Sequence, residues 1–378
     1  MNSNAMGIIF PNSYDALVPD LTNDRLMASI PFAGRYRMID FVLSGMVNAG
    51  IDNISIIVRE NYLSLMDHLG SGRAWDLTRK KGGLNIVPPY ARKNSKVYSG
   101  KVDALASLLS YLKEKKEKYV VLADSHIAAN FNFKEMIDQH IESGADITVA
   151  YEERPIPEDL LHTDNISKGL YYSYSLDGNK ITKMMINSKE EGVTNLGLNL
   201  YVIKRTLLID LVNQAFVEGK SFFERDILNP NIGVLDIQGY KCTDYTARIT
   251  GMRSFFEENM KLLDDENLDR LFISKRPIYT KVRDDNPTRY IKGATVKNVM
   301  AADGCLIEGH VENCVLFKGV QIEKGAVVKN CVIMQDTVIK AGANVEYVVA
   351  DKDVTIGSNV ELKGSSTFPI YIAKKKNV

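Results

Sequence analysis

A carboxylate and a hydroxyl follow directly after a predicted buried strand, at a place where ligands often bind. Residues 118–123 read KYVVLA, a short apolar and β-branched run, and Asp124 and Ser125 come next. In an open parallel α/β sheet, ligands bind just beyond the carboxyl ends of such strands. A carboxylate there can hold a hard cation such as Mg²⁺. What Asp124 and Ser125 can do at this place therefore decides much of the function.

The elements around this strand predict the fold class of the first half of the chain. Predicted strands alternate with predicted helices, which is typical of a doubly wound, mostly parallel α/β sheet of the Rossmann-like kind. The strands are residues 7–10, 54–58, 118–124 and 146–151, and the helices are residues 38–49, 62–69, 102–118 and 133–143. We expect Asp124 to lie at the ligand-binding edge of this sheet.

Further elements follow before the character of the sequence changes. Residues 170–185 alternate around Asp177-Gly178, which predicts a hairpin. A strand at 198–203, a helix at 206–218 and one long amphipathic helix at 251–272 come next. The stretch 274–290 contains two prolines and predicts an extended connector.

An internal repeat begins after the connector. Val311, Val328 and Val345 are 17 residues apart, as are Ile322, Ile339 and Ile356, and a shorter copy starts at Val296. Apolar residues near every sixth position, with glycines at corners, favour a left-handed parallel β-helix of hexapeptide repeats. An antiparallel sandwich with regular strand spacing is the alternative. Cys314 and Cys331 occupy equivalent positions, and packing explains them better than a metal site.

Length and composition set the outer limits of the interpretation. A chain of 378 residues suits more than one domain. We predict an α/β domain at 6–273, a connector at 274–290, a β-helix at 291–364 and a C-terminal tail at 365–378, whose lysines 374–376 we expect to be solvated. Lys and Arg number 47, as do Asp and Glu, so no overall charge attracts nucleic acid or membranes. Four cysteines without a disulfide pattern favour the cytoplasm.

Several motifs resemble one enzyme family over residues 7–364. IPFAGRYRMIDF at 30–41 resembles PFGGKYRxIDF, YSGKVDA at 98–104 resembles YxGTADA, and SFFEENM at 254–260 resembles SYYEANM. These are motifs of glucose-1-phosphate adenylyltransferase (ADP-glucose pyrophosphorylase) of bacterial glycogen synthesis. The resemblance implies transfer of an adenylyl group from ATP to glucose-1-phosphate, with Mg²⁺ held by carboxylates.

The sequence departs from the family where phosphate is bound. The family's loop GGxGxRL is replaced here by residues 11–17, in which Pro11 has no N–H to donate and Tyr14 is bulky. Asp15 adds a negative charge, which we expect to face the place of a triphosphate. Met27 stands where the family's KPAxPF has its lysine. We therefore expect no ordinary ATP binding at this loop.

The positions of the metal carboxylates also differ. The family's strand ends in SGDH, so Ser125 aligns with the aspartate and Asp124 lies one residue early, on the opposite face. In the family's WxDVGT, the second aspartate is replaced by Arg248, whose charge repels a cation. We expect no metal cofactor. The degenerate substrate pocket is predicted to include Gly100, Asp103, Asp124, Ser125, Gly197 and Arg248.

These departures predict a regulatory, non-catalytic subunit that assembles with its catalytic homologue, as a heterotetramer by resemblance. Arg35 and Arg37 are the predicted contacts of a sugar-phosphate effector, with ordinary salt bridges as the alternative. The pocket could also still bind glucose-1-phosphate. Two other readings stay open. In one, Asp124 and Asp103 recruit a metal and support slow nucleotidyl transfer; in the other, the chain is a hexapeptide-repeat acyltransferase that uses His310.

Overall fold

A mixed sheet flanked by helices and a solenoid of short parallel strands form the two parts of the fold. The computed structural model describes residues 4–79, 82–88, 98–161, 170–282 and 284–378. Within these residues the sheet has nine strands. In spatial order they are β5 (Gly83–Val87), β4 (Asn53–Ile57), β1 (Ala5–Phe10), β6 (Tyr119–Asp124), β11 (Val193–Lys204), β8 (Ile147–Pro155), β12 (Ile237–Lys241), β10 (Lys180–Ile186) and β9 (Tyr172–Asp177).

The pairing of the strands brings the ends of β1 and β6 together. Strands β5, β4, β1 and β6 are parallel, and Phe10 at the end of β1 pairs with Asp124 at the end of β6. The long strand β11 runs antiparallel to both β6 and β8, and the predicted hairpin adds β9 and β10. The sheet is thus parallel on one side of β11 and mixed on the other. Loops that follow β1 and β6 meet at one edge.

Ten helices accompany the strands in the described residues: α1 (Pro19–Thr22), α2 (Met38–Asn48), α3 (Leu63–Leu69), α4 (Lys101–Ser107), α5 (Leu109–Glu114), α6 (Phe133–Ser143), α7 (Glu158–Leu161), α8 (Arg205–Val217), α9 (Met252–Lys261) and α10 (Asp265–Leu271). No helix among these residues is long and apolar enough to cross a membrane.

Two helices that the sequence predicts as continuous are each divided in two, so these predictions were wrong. The helix predicted at 102–118 ends at Glu114 and is broken at Leu108, next to Ser107, whose hydroxyl donates to the Ala104 carbonyl and competes with the backbone ladder. The helix predicted at 251–272 is two helices. The Asp264 side chain accepts the N–H of Asn267 and starts the second one.

Short strands complete the two parts. β2 (Pro31–Phe32) pairs with β3 (Tyr36–Arg37), and β7 (Ile127–Ala129) pairs with β13 (Thr246–Arg248). The solenoid consists of β14 (Arg289–Tyr290), β15 (Thr295–Ala301), β16 (Leu306–Ile307), β17 (His310–Leu316), β18 (Gln321–Ile322), β19 (Val327–Ile333), β20 (Val338–Ile339), β21 (Asn344–Glu346), β22 (Val348–Ala350), β23 (Thr355–Ile356), β24 (Glu361–Lys363) and β25 (Ile370–Ile372).

The register of the solenoid follows the sequence repeat. Val311 pairs with Val328 and Val328 with Val345, all in parallel strands, so one coil takes 17 residues. Val296 pairs with Val311 over 15 residues, as the shorter copy predicts. The parallel pairing excludes the antiparallel sandwich. Strand β14 pairs with β16, so the solenoid begins inside the stretch predicted as connector.

The C-terminal tail is not frayed, contrary to our expectation of a solvated segment. The N–H of Thr355 donates to the Lys376 carbonyl, and Gly357 and Val378 are joined in the same way. Strand β25 pairs with β22. These backbone hydrogen bonds satisfy the last coil, which would otherwise present an open edge.

A buried ion pair and an apolar cluster join the α/β part to the solenoid. Arg25 donates to both carboxylate oxygens of Asp351 at 2.7 and 2.8 Å, and Tyr371 donates to the same carboxylate at 3.0 Å. Beside this pair, Phe255 and Phe256 of α9 pack in one core cluster with solenoid valines. The joint is therefore both apolar and charged.

We predict that Arg25→Met destabilises the protein by about 3–5 kcal/mol, because Asp351 would remain buried without its cation. Urea unfolding followed by circular dichroism measures this change. Lys134→Met is the matched control, since Lys134 makes a solvent-exposed ion pair with Asp138 and its loss should change little. Equal unfolding midpoints for the two variants would contradict the prediction.

Candidate functional site

A pocket of about 340 Å³ lies beyond the carboxyl ends of β1 and β6. It is bounded by the loop after β1, the start of α4 and the segment around 222–225. Aromatic side chains form much of its wall and charged side chains its floor and rim. The lining residues are Phe10, Asn12, Ser13, Tyr14, Ala16, Ile57, Arg59, Tyr98, Ser99, Gly100, Lys101, Ala104, Asp124, Leu170, Tyr172, Phe222, Glu224 and Arg225.

Asp124 stands at the centre of the hydrogen bonds on the pocket floor. It accepts from Ser13 Oγ at 2.6 Å, from Lys101 Nζ at 2.7 Å and from Asn199 Nδ2 at 2.9 Å. Lys101 also contacts Glu224, which accepts a further hydrogen bond from Tyr201 at 3.1 Å. Burial raises the pKa of Asp124 and the Lys101 ammonium opposes that shift. The floor is a network of paired charges.

The loop after β1 is held by its own side chains. Tyr14 packs against the His126 ring with centroids 3.9 Å apart, and its hydroxyl donates to the Leu170 carbonyl at 2.7 Å. Asp15 accepts the Met27 N–H at 2.6 Å, and burial raises its pKa to about 6. Our expectation that Asp15 faces the pocket was wrong, because its carboxylate caps this backbone N–H instead.

Three other predicted residues have distinct places. Gly100 lines the pocket, and a Cβ there would lie 2.2 Å from the Ser221 carbonyl oxygen, so only glycine allows this close packing. Asp103 accepts the Ser99 N–H at 3.0 Å and is not among the lining residues. Ser125 is buried, and its hydroxyl points to the Pro11 carbonyl at 3.5 Å. These two residues do not join Asp124 in a common ligand set.

Arg248 is buried in a bond to Glu152. Its guanidinium donates to Glu152 Oε1 at 2.9 and 3.1 Å and to the Gly197 carbonyl at 2.7 Å. It also lies 3.4 Å from the His126 ring nitrogen, and burial and this cation keep the pKa of His126 well below its ordinary value. The structure thus brings Arg248 and Gly197 together, and neither residue lines the pocket. A guanidinium and a hydroxyl, at the two positions where the family resemblance expects metal carboxylates, do not fit Mg²⁺.

The two predicted effector arginines lie in a cleft between the α/β part and the solenoid. Arg35 and Arg37 line it, and Arg37 donates to the Ser64 carbonyl at 2.6 Å. Arg35 is half-exposed and lies 3.9 Å from Asp303. Lysines complete the wall of the cleft: Lys281 from the connector, and Lys318 and Lys352 from the solenoid. Positive side chains thus outnumber negative ones in the lining, where Asp67 lies 3.4 Å from Lys281, and Lys318 pairs with Asp285 at 3.2 Å.

Lys352 is the lysine of this cleft whose protonation changes near neutral pH. Burial, together with the nearby cations Arg37 and Arg25, lowers its pKa to about 7. Asp351 acts in the opposite direction but is engaged by Arg25. An anion bound in the cleft would add negative charge beside Lys352 and would favour its protonated form.

Reasoning from the sequence missed the partners of the key charges. The sequence does contain an indication of Lys101, because this lysine stands where the family motif YxGTADA has a threonine. It contains no indication of Glu224 or Glu152, because these residues are 123 and 96 residues away from the cations they pair with. His310 begins β17 at the surface, 3.8 Å from Glu312. Among the described residues, no group of three or more His, Cys, Asp or Glu side chains is placed to hold a metal ion.

Fold and site together define a nucleotidyltransferase-type α/β domain joined to a hexapeptide β-helix. The family model "Nucleotidyl transferase" matches residues 17–159, and the model "GlmU-like, C-terminal hexapeptide" matches residues 282–364. These two matches agree with the fold class that the sequence predicts.

Relatives align with most of the chain. The "Glycogen biosynthesis protein GlgD" of Bacillus subtilis (strain 168) is 36% identical over 373 residues, which are 99% of this chain and 96% of that protein. The "Glucose-1-phosphate adenylyltransferase" of Geobacillus stearothermophilus is 30% identical over 337 residues, 87% of this chain and 84% of that protein. The chain belongs to the family of the glucose-1-phosphate adenylyltransferases and their GlgD relatives, which confirms the resemblance.

We predict that Arg248 and Glu152 are strongly coupled. Arg248→Met alone should destabilise the protein by about 3–5 kcal/mol, because the buried Glu152 would keep only the more distant Arg154, at 3.6 Å, and the Thr246 hydroxyl as partners. A double-mutant cycle with Glu152→Gln, measured by urea unfolding, should give a coupling free energy of about 1–3 kcal/mol. Additive effects of the two changes would show that the guanidinium is not held in place by this carboxylate.

Proposed function

We propose that this chain is a regulatory, non-catalytic subunit of glucose-1-phosphate adenylyltransferase in glycogen biosynthesis. The observation that carries the proposal is the pair of Arg248 and Glu152, which puts a buried guanidinium where the family resemblance expects a metal carboxylate. A nucleotidyl transfer that depends on Mg²⁺ needs carboxylates at that place. The relatives named GlgD support the link to glycogen synthesis.

The phosphate-binding loop supports the same proposal. Pro11 offers no N–H, Met27 is buried in the core, and the Asp15 carboxylate is engaged by backbone and Asn12. Catalysis of adenylyl transfer is mostly positioning and charge neutralisation around the triphosphate. A loop with these side chains supplies neither. We therefore propose that the chain needs no metal cofactor and acts through a catalytic homologue, whose activity it modulates.

We further propose that the cleft between the two parts is the effector site. Arg35 and Arg37 enter it from the α/β part, and Lys318 and Lys352 enter it from the solenoid. A phosphorylated sugar offers the negative charge that such a cluster favours. A ligand bound there would contact the α/β part and the solenoid at once. It could therefore change the relative free energies of two arrangements of these parts.

Mixing the chain with its catalytic homologue tests the proposed function. We expect no ADP-glucose synthesis by this chain alone with Mg²⁺, and a changed rate or substrate affinity when the two proteins are mixed. The heat-denatured chain at the same concentration is the control.

Two results would contradict the proposal. Turnover by the isolated chain that is lost in Asp124→Ala would mean that it is a weak nucleotidyltransferase. A mixture that behaves as the homologue alone would remove the regulatory role.

A separate assay tests the alternative of a hexapeptide-repeat acyltransferase. Acyl transfer from acyl-CoA that is lost in His310→Ala would favour that alternative.

The pKa of Lys352 predicts a pH dependence for effector binding. An anion binds the protonated lysine better, so the affinity for a hexose bisphosphate should fall roughly tenfold between pH 7 and pH 8.5, a range in which its phosphate groups stay ionised. Isothermal titration calorimetry of the isolated chain measures this. Lys352→Arg keeps its charge and should flatten the profile, whereas Lys329→Arg on an exposed solenoid face should not. A pH profile that is unchanged in Lys352→Arg would exclude Lys352 as a contact.

A further inference from the structure

The ammonium of Lys101 lies between two carboxylates on the pocket floor. Its Nζ is 2.7 Å from Asp124 Oδ2 and also contacts Glu224 Oε1. The two carboxylates come from different parts of the fold, the end of β6 and the segment 224–228, and both are almost fully buried. The lysine side chain is 13% exposed. One cation is therefore shared by two buried carboxylates.

The surroundings of the ammonium also suit a cation. Nζ is 5.5 Å from the centre of the Phe10 ring and 5.8 Å from that of Tyr201. Aromatic faces within about 6 Å attract a positive charge. Ser13 donates to Asp124 Oδ1 and Asn199 to Asp124 Oδ2, and Tyr201 donates to Glu224 Oε1, so each carboxylate also has a partner other than the lysine. The position is thus built from carboxylates and aromatic rings, which attract a cation. Residues other than the lysine also hold these carboxylates in place.

We propose that Asp124 and Glu224 form a cation-binding position that Lys101 occupies as a tethered cation, and that a divalent metal ion would bind there if the ammonium were removed. Mg²⁺ and Mn²⁺ are commonly held by one or two carboxylates with water molecules in the other positions. The ammonium blocks such an ion by charge and by volume.

The energetics favour the tethered cation in the native chain. A metal ion would have to give up part of its hydration shell and displace an ammonium that is already bound. The pKa of Lys101 supports this order: burial alone would lower it, but the two carboxylates raise it overall, so the side chain stays charged. Any ligand of this pocket would then bind independently of divalent metal, whether or not the chain is a regulatory subunit.

Mn²⁺ binding to the full chain tests the proposal, with free Mn²⁺ measured by electron paramagnetic resonance. Lys101→Met removes the charge and keeps the length of the side chain. We expect it to bind one Mn²⁺ on the order of tenfold more tightly than the native chain. Lys101→Arg should behave as the native chain, and adding Glu224→Gln to Lys101→Met should abolish the gain. Lys113→Met on α5 is the control for loss of an exposed lysine.

Thermal unfolding gives a second measurement, which is still possible if Lys101→Met is less stable than the native chain. Mn²⁺ should raise the melting temperature of Lys101→Met and not that of the native chain, because an ion that binds only the folded state stabilises it. Affinity for Mn²⁺ in Lys101→Met equal to that of the native chain would overturn the proposal. So would a Lys101→Met chain that stays unfolded with or without millimolar Mn²⁺, or a gain that persists with Glu224→Gln.

Discussion

The buried carboxylate of Asp124 is the interaction on which the pocket depends. It accepts hydrogen bonds from the loop after β1, from α4 and from β11, and through Lys101 it is tied to Glu224. Four segments that are distant in sequence are fixed by one side chain at the end of the central strand. An unpaired carboxylate at this depth would cost several kcal/mol, and the three donors Ser13, Lys101 and Asn199 together offset that cost. The shape of the pocket follows from these hydrogen bonds.

The same physical solution recurs at the other charged positions. Arg248 is satisfied by Glu152 behind the pocket, and Arg25 is satisfied by Asp351 at the joint with the solenoid. In each case a cation on the protein itself neutralises a buried anion. At each of these places the compensating positive charge is an arginine of the protein itself. These two buried carboxylates therefore need no ion from solution to balance their charge.

The sequence predicts the repeating parts of this fold well and the charge pairs poorly. The spacing of Val311, Val328 and Val345 predicts the register of the solenoid because each coil repeats the same local packing. The position of Asp124 follows from the apolar run before it. The partner of Lys101 does not, since Glu224 is brought to it only by the folding of the whole sheet. Local patterns contain no information about such contacts, and the break at Leu108 was missed because one side-chain hydrogen bond decides it.

The proposed function requires that Mg²⁺ does not help this chain to bind a nucleoside triphosphate. Calorimetric titration of the isolated chain with ATP, in the presence and absence of Mg²⁺, measures this. We expect equal ATP affinity with and without Mg²⁺, because Ser125 and Arg248 stand where the family resemblance expects the two metal carboxylates, and Lys101 already occupies the carboxylates of the pocket floor. ATP binding that becomes markedly tighter with Mg²⁺ would contradict it and would mean that a metal site is retained.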